Sequence, residues 1–177
     1  MIRRLGALLA ASALFGALAV RGRGEEPAGS AQIRSICSPN RRYCAVLNPS
    51  RGTTTVYEVV EGRRVKRWRM SGSFRSTVLC DDGRHLVAGY DGGGVLADRA
   101  GKDEVMLRFY DKGRLLRSVR LRELLKNPAD LPGRRWGDVL GIDETGAYVV
   151  TTVEGRRLAF DVSSGKLSSA APASFAR

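Results

Sequence analysis

Histidine occurs once in these 177 residues, cysteine three times and tryptophan twice. One histidine and three scattered cysteines give no zinc-ligand spacing, so no metal site is expected. There is no Gly-x-Ser-x-Gly element, which excludes the nucleophile elbow of α/β-hydrolases. A Gly-Lys-Ser/Thr phosphate loop is missing too, and so is an Asp/Asn ladder closed by Glu of the kind that binds calcium. No cofactor is implied. Aromatic residues make up only 7% of the chain and do not interleave with basic ones as a single-strand platform requires, so nucleic acid is not an expected partner. Acidic residues are few, 18 against 30 basic, for a net charge of +12. A surplus of that size favours polyanions at long range.

Long apolar runs are also scarce. The one present is Leu5 to Val20, preceded by "MIRR" and containing the small-residue triplet "ALA" at 17 to 19. At 16 residues it is shorter than the ~20 a membrane span needs, and a basic start, apolar middle and small-residue site describe a signal peptide. Residues 1–19 are read as that peptide, with an uncleaved N-terminal anchor as the alternative. Either places the rest outside the cytoplasm, periplasmic or secreted, with no stable membrane span after cleavage. Loss of Arg3 and Arg4 leaves 28 basic and 18 acidic residues, a net +10. Residues 20–30, "VRGRGEEPAGS", read as a flexible linker, and 169–177 as a small-residue tail.

Between them, at 31–168, a tight turn recurs: "SPNRRY" at 38, "CDDGRH" at 80 and "DETGAY" at 143. The flanks recur with it. Short apolar runs precede each turn ("QIRSIC", "STVLC", "DVLGI") and follow it ("YCAVL", "HLVAGY", "YVVTTV"). Such near-continuous apolar runs are expected of strands covered on both faces. Each repeat then has an aromatic-plus-acid pair and a Gly-basic turn: "VYEVVEGRR", "RFYDKGRL" and "AFDVSSGKL". A fourth strand alternates apolar and basic residues in "VKRWRM" and "SVRLR", which marks one covered and one wet face. The third repeat has little fourth strand. The repeats fall at 31–70, 74–122 and 136–168. Two insertions break the pattern: "DGGGVLADRAGKD" at 91–103, read as a flexible loop, and "LRELLKNPADLPGRR" at 121–135, whose start can form a short helix ended before Pro128.

A four-stranded unit with S-x-D-G-R-Y in its first turn and hydrophobic-Asp-x-x-x-Gly-Lys in its last resembles a blade of the WD40-like and YVTN-type β-propellers exported by bacteria. "SPNRRY", "DDGRHLV" and "FDVSSGK" carry the resemblance, with Arg41 where the family usually has Gly. It implies an all-β fold of three four-stranded antiparallel blade-like repeats with one short helical insertion. Three blades do not close a ring, since propellers use ~4–8. An open propeller-like arc, a half-propeller closed by dimerisation and a compact β-sandwich all remain open, with a compact monomer favoured because an open arc exposes apolar edges.

His85 aligns with Tyr43 and Tyr148, a structural position, and no Ser or Cys nucleophile pairs with it by pattern. The acidic pairs Asp81/Asp82, Asp103/Glu104 and Asp143/Glu144 suit paired-carboxylate hydrolysis, but Asp and Asn in turns also bond the turn backbone. Asp91 and Asp98 sit in the 91–103 loop, and loops on rigid scaffolds often bind ligands. Cys37 and Cys44 flank the first turn at i and i+7 and pair if they lie opposite. Their aligned partners, Leu79 and Leu86, allow plain core packing instead, and Cys80 is left over. Arg67, Arg69, Arg120 and Arg122 occupy equivalent wet faces in two repeats. Guanidinium groups there can grip carboxylate or phosphate, while a solvated face accounts for them without a ligand. The expected function is non-enzymatic: an exported propeller-like domain binding an envelope protein or anionic polymer through these arginines. The alternative is a hydrolase-type enzyme using the turn carboxylates and the 91–103 loop.

Overall fold

The structure, a computed structural model, describes residues 32–128 and 131–172. The segments read above as a signal peptide (1–19) and a linker (20–30) lie outside the described residues, as does the chain beyond 172. Among the described residues, no helix is long and apolar enough to cross a membrane.

Twelve strands form three antiparallel sheets of four, each in simple chain order. The first unit contains β1 (Arg34–Cys37), β2 (Tyr43–Asn48), β3 (Thr53–Val60) and β4 (Arg63–Ser71). The second contains β5 (Thr77–Leu79), β6 (His85–Gly89), β7 (Val105–Asp111) and β8 (Arg114–Arg120), followed by the one-turn helix α1 (Leu121–Leu124). The third contains β9 (Gly137–Ile142), β10 (Tyr148–Thr152), β11 (Arg156–Phe160) and β12 (Leu167–Pro172). Among the described residues the fold is all-β apart from the one-turn helix α1 and two short 3-10 turns, with no closed barrel.

Each repeated turn makes the same bond. The backbone N–H of Arg41, Gly83 and Gly146 donates to the carbonyl of Ser38, Cys80 and Asp143, respectively. All three residues hold positive φ (57°, 62° and 81°), a region that costs a residue with a Cβ. Arg41 therefore takes the backbone shape for which the other two repeats use glycine.

The units stack face to face. Ala45, Leu47, Val56 and Met70 of the first pack against Leu79, Leu86, Ala88 and Tyr110 of the second. Val87, Leu107 and Phe109 of the second pack with Tyr148, Val150, Leu158 and Phe160 of the third. The middle unit is thus covered on both faces, and β6 is buried from Leu86 through Gly89. The first unit departs from the expectation that the strands flanking the repeated turn are covered on both faces: β1 is exposed at Arg34, Ser35 and Cys37. Its β3 alternates half-buried and buried residues, because only one of its faces meets a neighbouring sheet.

The hairpin glycines let the units approach. A Cβ on Gly113, in the β7–β8 turn, would lie 2.9 Å from the Met70 Cβ of the first unit. One on Gly165, in the equivalent turn of the third, would lie 2.8 Å from Arg117 and Phe109 of the second. The repeated Gly-basic turn is thus a seat for the next unit.

Two sequence expectations need correction. The fourth strand of the third unit is complete: β12 pairs with β11 from Leu167 to Pro172, so the tail begins within a strand. "LSSAAP" lacks alternation, and backbone pairing supplies what the pattern does not show. The 91–103 loop is not a loose insertion. Leu96 is buried, Val95 bridges Arg135, and Trp136 donates its backbone N–H to Gly94 and its indole N–H to Gly93. Trp136 is wholly buried, so the loop and the 131–136 segment close the core over it together.

Candidate binding surface

The turn carboxylates are brought together, and most are already occupied. Pro39, Cys80, Asp81, Asp82, Ile142, Asp143, Glu144, Gly146 and Val162 line one cleft. Its origin is an asymmetry between joints. Gly83 is pressed on the Tyr43 ring, where a Cβ would lie 2.2 Å away, and Trp68 donates its indole N–H to the Gly83 carbonyl at 2.8 Å. Gly146 has nothing within 4 Å of that position, so the turns of the second and third units stand apart.

Within this cleft Asp81 accepts the Asn40 backbone N–H at 2.8 Å and so links the first two turns. Asp82 accepts the N–H groups of Arg84 and His85, and its other oxygen lies 2.5 Å from His85 Nδ1. Burial works to raise the Asp82 carboxyl, but these bonds outweigh it and hold the group below the ordinary aspartate value. Thr145 likewise holds Asp143 low, with the Ala147 N–H and the charge of Arg157 adding to it. The His85–Asp82 pair has the look of a general base with its orienting acid. The cysteine lining the same cleft, Cys80, is held in its thiol form: burial, with the charges of Asp82 and Asp81, pushes it up to about 12, against the thiolate that nucleophilic attack needs.

Asp91 and Asp98 do not join these groups. Strand β6 separates the turn from the 91–103 loop, which puts them roughly 16 Å apart at ~3.3 Å per residue. Asp91 accepts the Arg75 N–H, and Asp98 lies 3.4 Å from Arg134. The turn-plus-loop constellation of the hydrolase reading is therefore not assembled.

The four arginines fall into three environments. Arg67 lies 3.6 Å from Glu58, whose carboxylate also takes a two-nitrogen grip from Arg42. Arg120 and Arg122 both turn to Asp103. Arg69 alone has no carboxylate among the described residues. A β-bulge explains why Arg67 and Arg69 part. The register shifts between Val56 and Tyr57, leaving Arg67 as the extra residue, with Trp68 opposite Val56 and Lys66 opposite Tyr57.

The same register identifies a surface that the sequence pattern did not show. Residues directly opposite share a face. Cys37, Cys44 and Tyr57 align, as do Val46, Thr55 and Arg69, and Asn48 with Thr53. Lys66 and Arg64 continue the row on β4. This outer face of the first unit carries Arg64, Lys66 and Arg69, all exposed, with Arg51 at its edge. None has a carboxylate partner among the described residues. Cys37 and Cys44 are joined by a disulfide on this face.

No protein-family model matches the sequence, and no curated protein does. Some solved structures are similar. The periplasmic gluconolactonase of Pseudomonas aeruginosa is 15% identical over 80% of this chain and 39% of its own, with a TM-score of 0.43. The C-terminal WD40 domain of Sif2 is 15% identical over 78% of this chain and 36% of its own, at 0.40. The hydrazine synthase of Kuenenia stuttgartiensis is 15% identical over 80% and 37%, at 0.40. This chain spans well under half the length of each.

Proposed function

We propose that the protein is an exported, non-enzymatic binding domain that docks an envelope macromolecule. The observation that carries this reading is the uncompensated cationic face of the first unit. Arg42, Arg84 and Arg117 find carboxylates within the fold, whereas Arg64, Lys66 and Arg69 find none among the described residues. Clustered like charges on one face carry an electrostatic cost that an anionic partner relieves. Export rests on the basic start, apolar run and small-residue site of residues 1–19, and a disulfide suits an oxidising compartment.

One observation favours the hydrolase reading: four carboxyl side chains line the turn cleft. Asp81, Asp82 and Asp143 are engaged with turn backbone, which leaves Glu144 as the one without a bonded partner among the described residues.

The test is a pull-down from envelope extract with the purified protein, at low salt and at about 0.5 M salt, where charge attraction is screened to a few ångströms. Retention of a defined protein, or of anionic polymer released by salt, supports the reading. No retention at either salt sinks it. So does turnover of the retained material that disappears in Asp82→Asn.

A further inference from the structure

We infer that the outer face of the first unit is a platform for an acidic polysaccharide. This rests on the binding reading above and names its ligand class.

The face is one side of a four-stranded sheet, so it is open and extended, with a shallow depression along it and no enclosed pocket. Along β4 it presents Arg64, Lys66 and Arg69 in a row on the order of 15 Å long at ~3.3 Å per residue. A linear polymer with a carboxylate on successive sugars matches a row of cations; a small anion would use one. Arg51 extends the positive edge beyond Asn48, in the turn between β2 and β3. No carboxylate of the described residues pairs with any of these four groups.

Beside the cations lie hydroxyl and amide groups. Thr53 and Thr55 of β3 and Asn48 of β2 line the same depression as Lys66 and Arg69. Tyr57 stands directly opposite Lys66 and contributes a ring. Hydroxyl and amide groups match the donors and acceptors of sugar hydroxyls, and an aromatic ring next to a cation suits a sugar face with its carboxylate alongside. The face carries no large exposed apolar side chain of the kind that enters a bilayer: Val46 is half-buried, and exposed Val60 and Val65 lie off it, near the β3–β4 turn. Charge complementarity and the sheet's polar chemistry therefore favour a carboxylated glycan over a lipid surface.

The probe is polygalacturonate, with its methyl ester as the uncharged control, used in affinity electrophoresis with the purified protein. Phosphatidylglycerol vesicles and duplex DNA test for indiscriminate charge binding. The protein should be retarded by polygalacturonate and not by the ester. The triple variant Arg64→Ser, Lys66→Ser, Arg69→Ser should lose about tenfold or more in affinity. Its Tm should not fall, because these side chains make no described contact with a carboxylate. Tyr57→Ala should weaken retardation as well. Three results overturn the inference: equal binding to DNA or vesicles, polygalacturonate binding that the triple variant retains, or no polygalacturonate binding at all. A partner captured from envelope extract equally by wild type and triple variant would also overturn it, while leaving the broader binding reading standing.

Discussion

Trp68 reaches across the first joint and donates its indole N–H to the carbonyl of Gly83, 2.8 Å away. The Tyr43 ring packs against the Cα of Gly83 as well. The turn of the second unit is thus held by two aromatic side chains of the first. Gly83→Ala meets two penalties: a positive φ of 62° and a Cβ driven into the ring. The variant should lose about 2–4 kcal/mol of stability. Gly146→Ala, with the same backbone shape and open space around it, should lose only about 1–2 kcal/mol. Urea titrations of the two variants check this; equal losses would mean the Tyr43 contact is not tight.

The first turn predicts the reverse. Arg41 is exposed and holds a φ of 57° in the place where the other repeats have glycine. Arg41→Gly removes that strain but makes the unfolded chain more flexible, so the net gain should be modest, ~0.5–1 kcal/mol. A rise in Tm supports this. A fall would mean that the Arg41 side chain supports the turn in a way the described contacts do not show.

The architecture was legible because turns carry it. Glycine, Asp and Asn at fixed offsets are needed wherever the chain reverses at positive φ, so three copies of one turn reveal three copies of one unit. The helical insertion was legible from "LRELLK" before Pro128, although the helix is a single turn that already ends at Leu124, with Leu125 extended. Two features were hidden. The strand β12 has no alternation, since its formation follows from the free edge of β11 and not from its own side chains. The cationic face was obscured because the pattern in "VKRWRM" implies strict alternation. The bulge at Arg67 breaks it, sending Arg67 to Glu58 and placing Lys66 with Arg69 on the outer side. Nothing local in the sequence marks that bulge. The glycines of the 91–103 loop imply a loose insertion, whereas its one buried anchor, Leu96, shares a core cluster with Trp136, forty residues later in the chain.

The cysteines divide into a bonded pair and one buried thiol. Cys37 and Cys44 lie directly opposite in the β1–β2 register and are bonded. The bond closes a short loop of sequence separation 7, and opening it should cost about 2 kcal/mol in the chain-entropy picture. Cys80 is buried, and its thiol is pushed up to about 12, so it should not react with a thiol reagent at pH 8 while the chain is folded. The expected titration is no reactive thiol in the native protein, one in denaturant and three after reduction. Three thiols in denaturant without reductant would show the Cys37–Cys44 bond to be absent.

Acid should destabilise the protein through its turns. Asp111, Asp143 and Asp161 are all held below the ordinary carboxyl value: Asp111 by the Arg84 guanidinium, Asp143 by Thr145, and Asp161 by the Ser164 hydroxyl together with the N–H and hydroxyl of Ser163. Arg84 takes Asp111 down to about 2. In the unfolded chain these groups titrate near ~3.9, so between the two values the unfolded state binds more protons. Stability from them is complete above about pH 5 and falls as the pH drops toward about 2, with no counterpart loss on the alkaline side. Asp161→Asn keeps acceptor capacity in the turn while removing one titration, so its Tm should be lower at pH 7 yet decline less between pH 5 and pH 2.5. A wild-type Tm that does not change over that interval, or an Asp161→Asn slope as steep as wild type, would show that the turn carboxylates do not set acid stability.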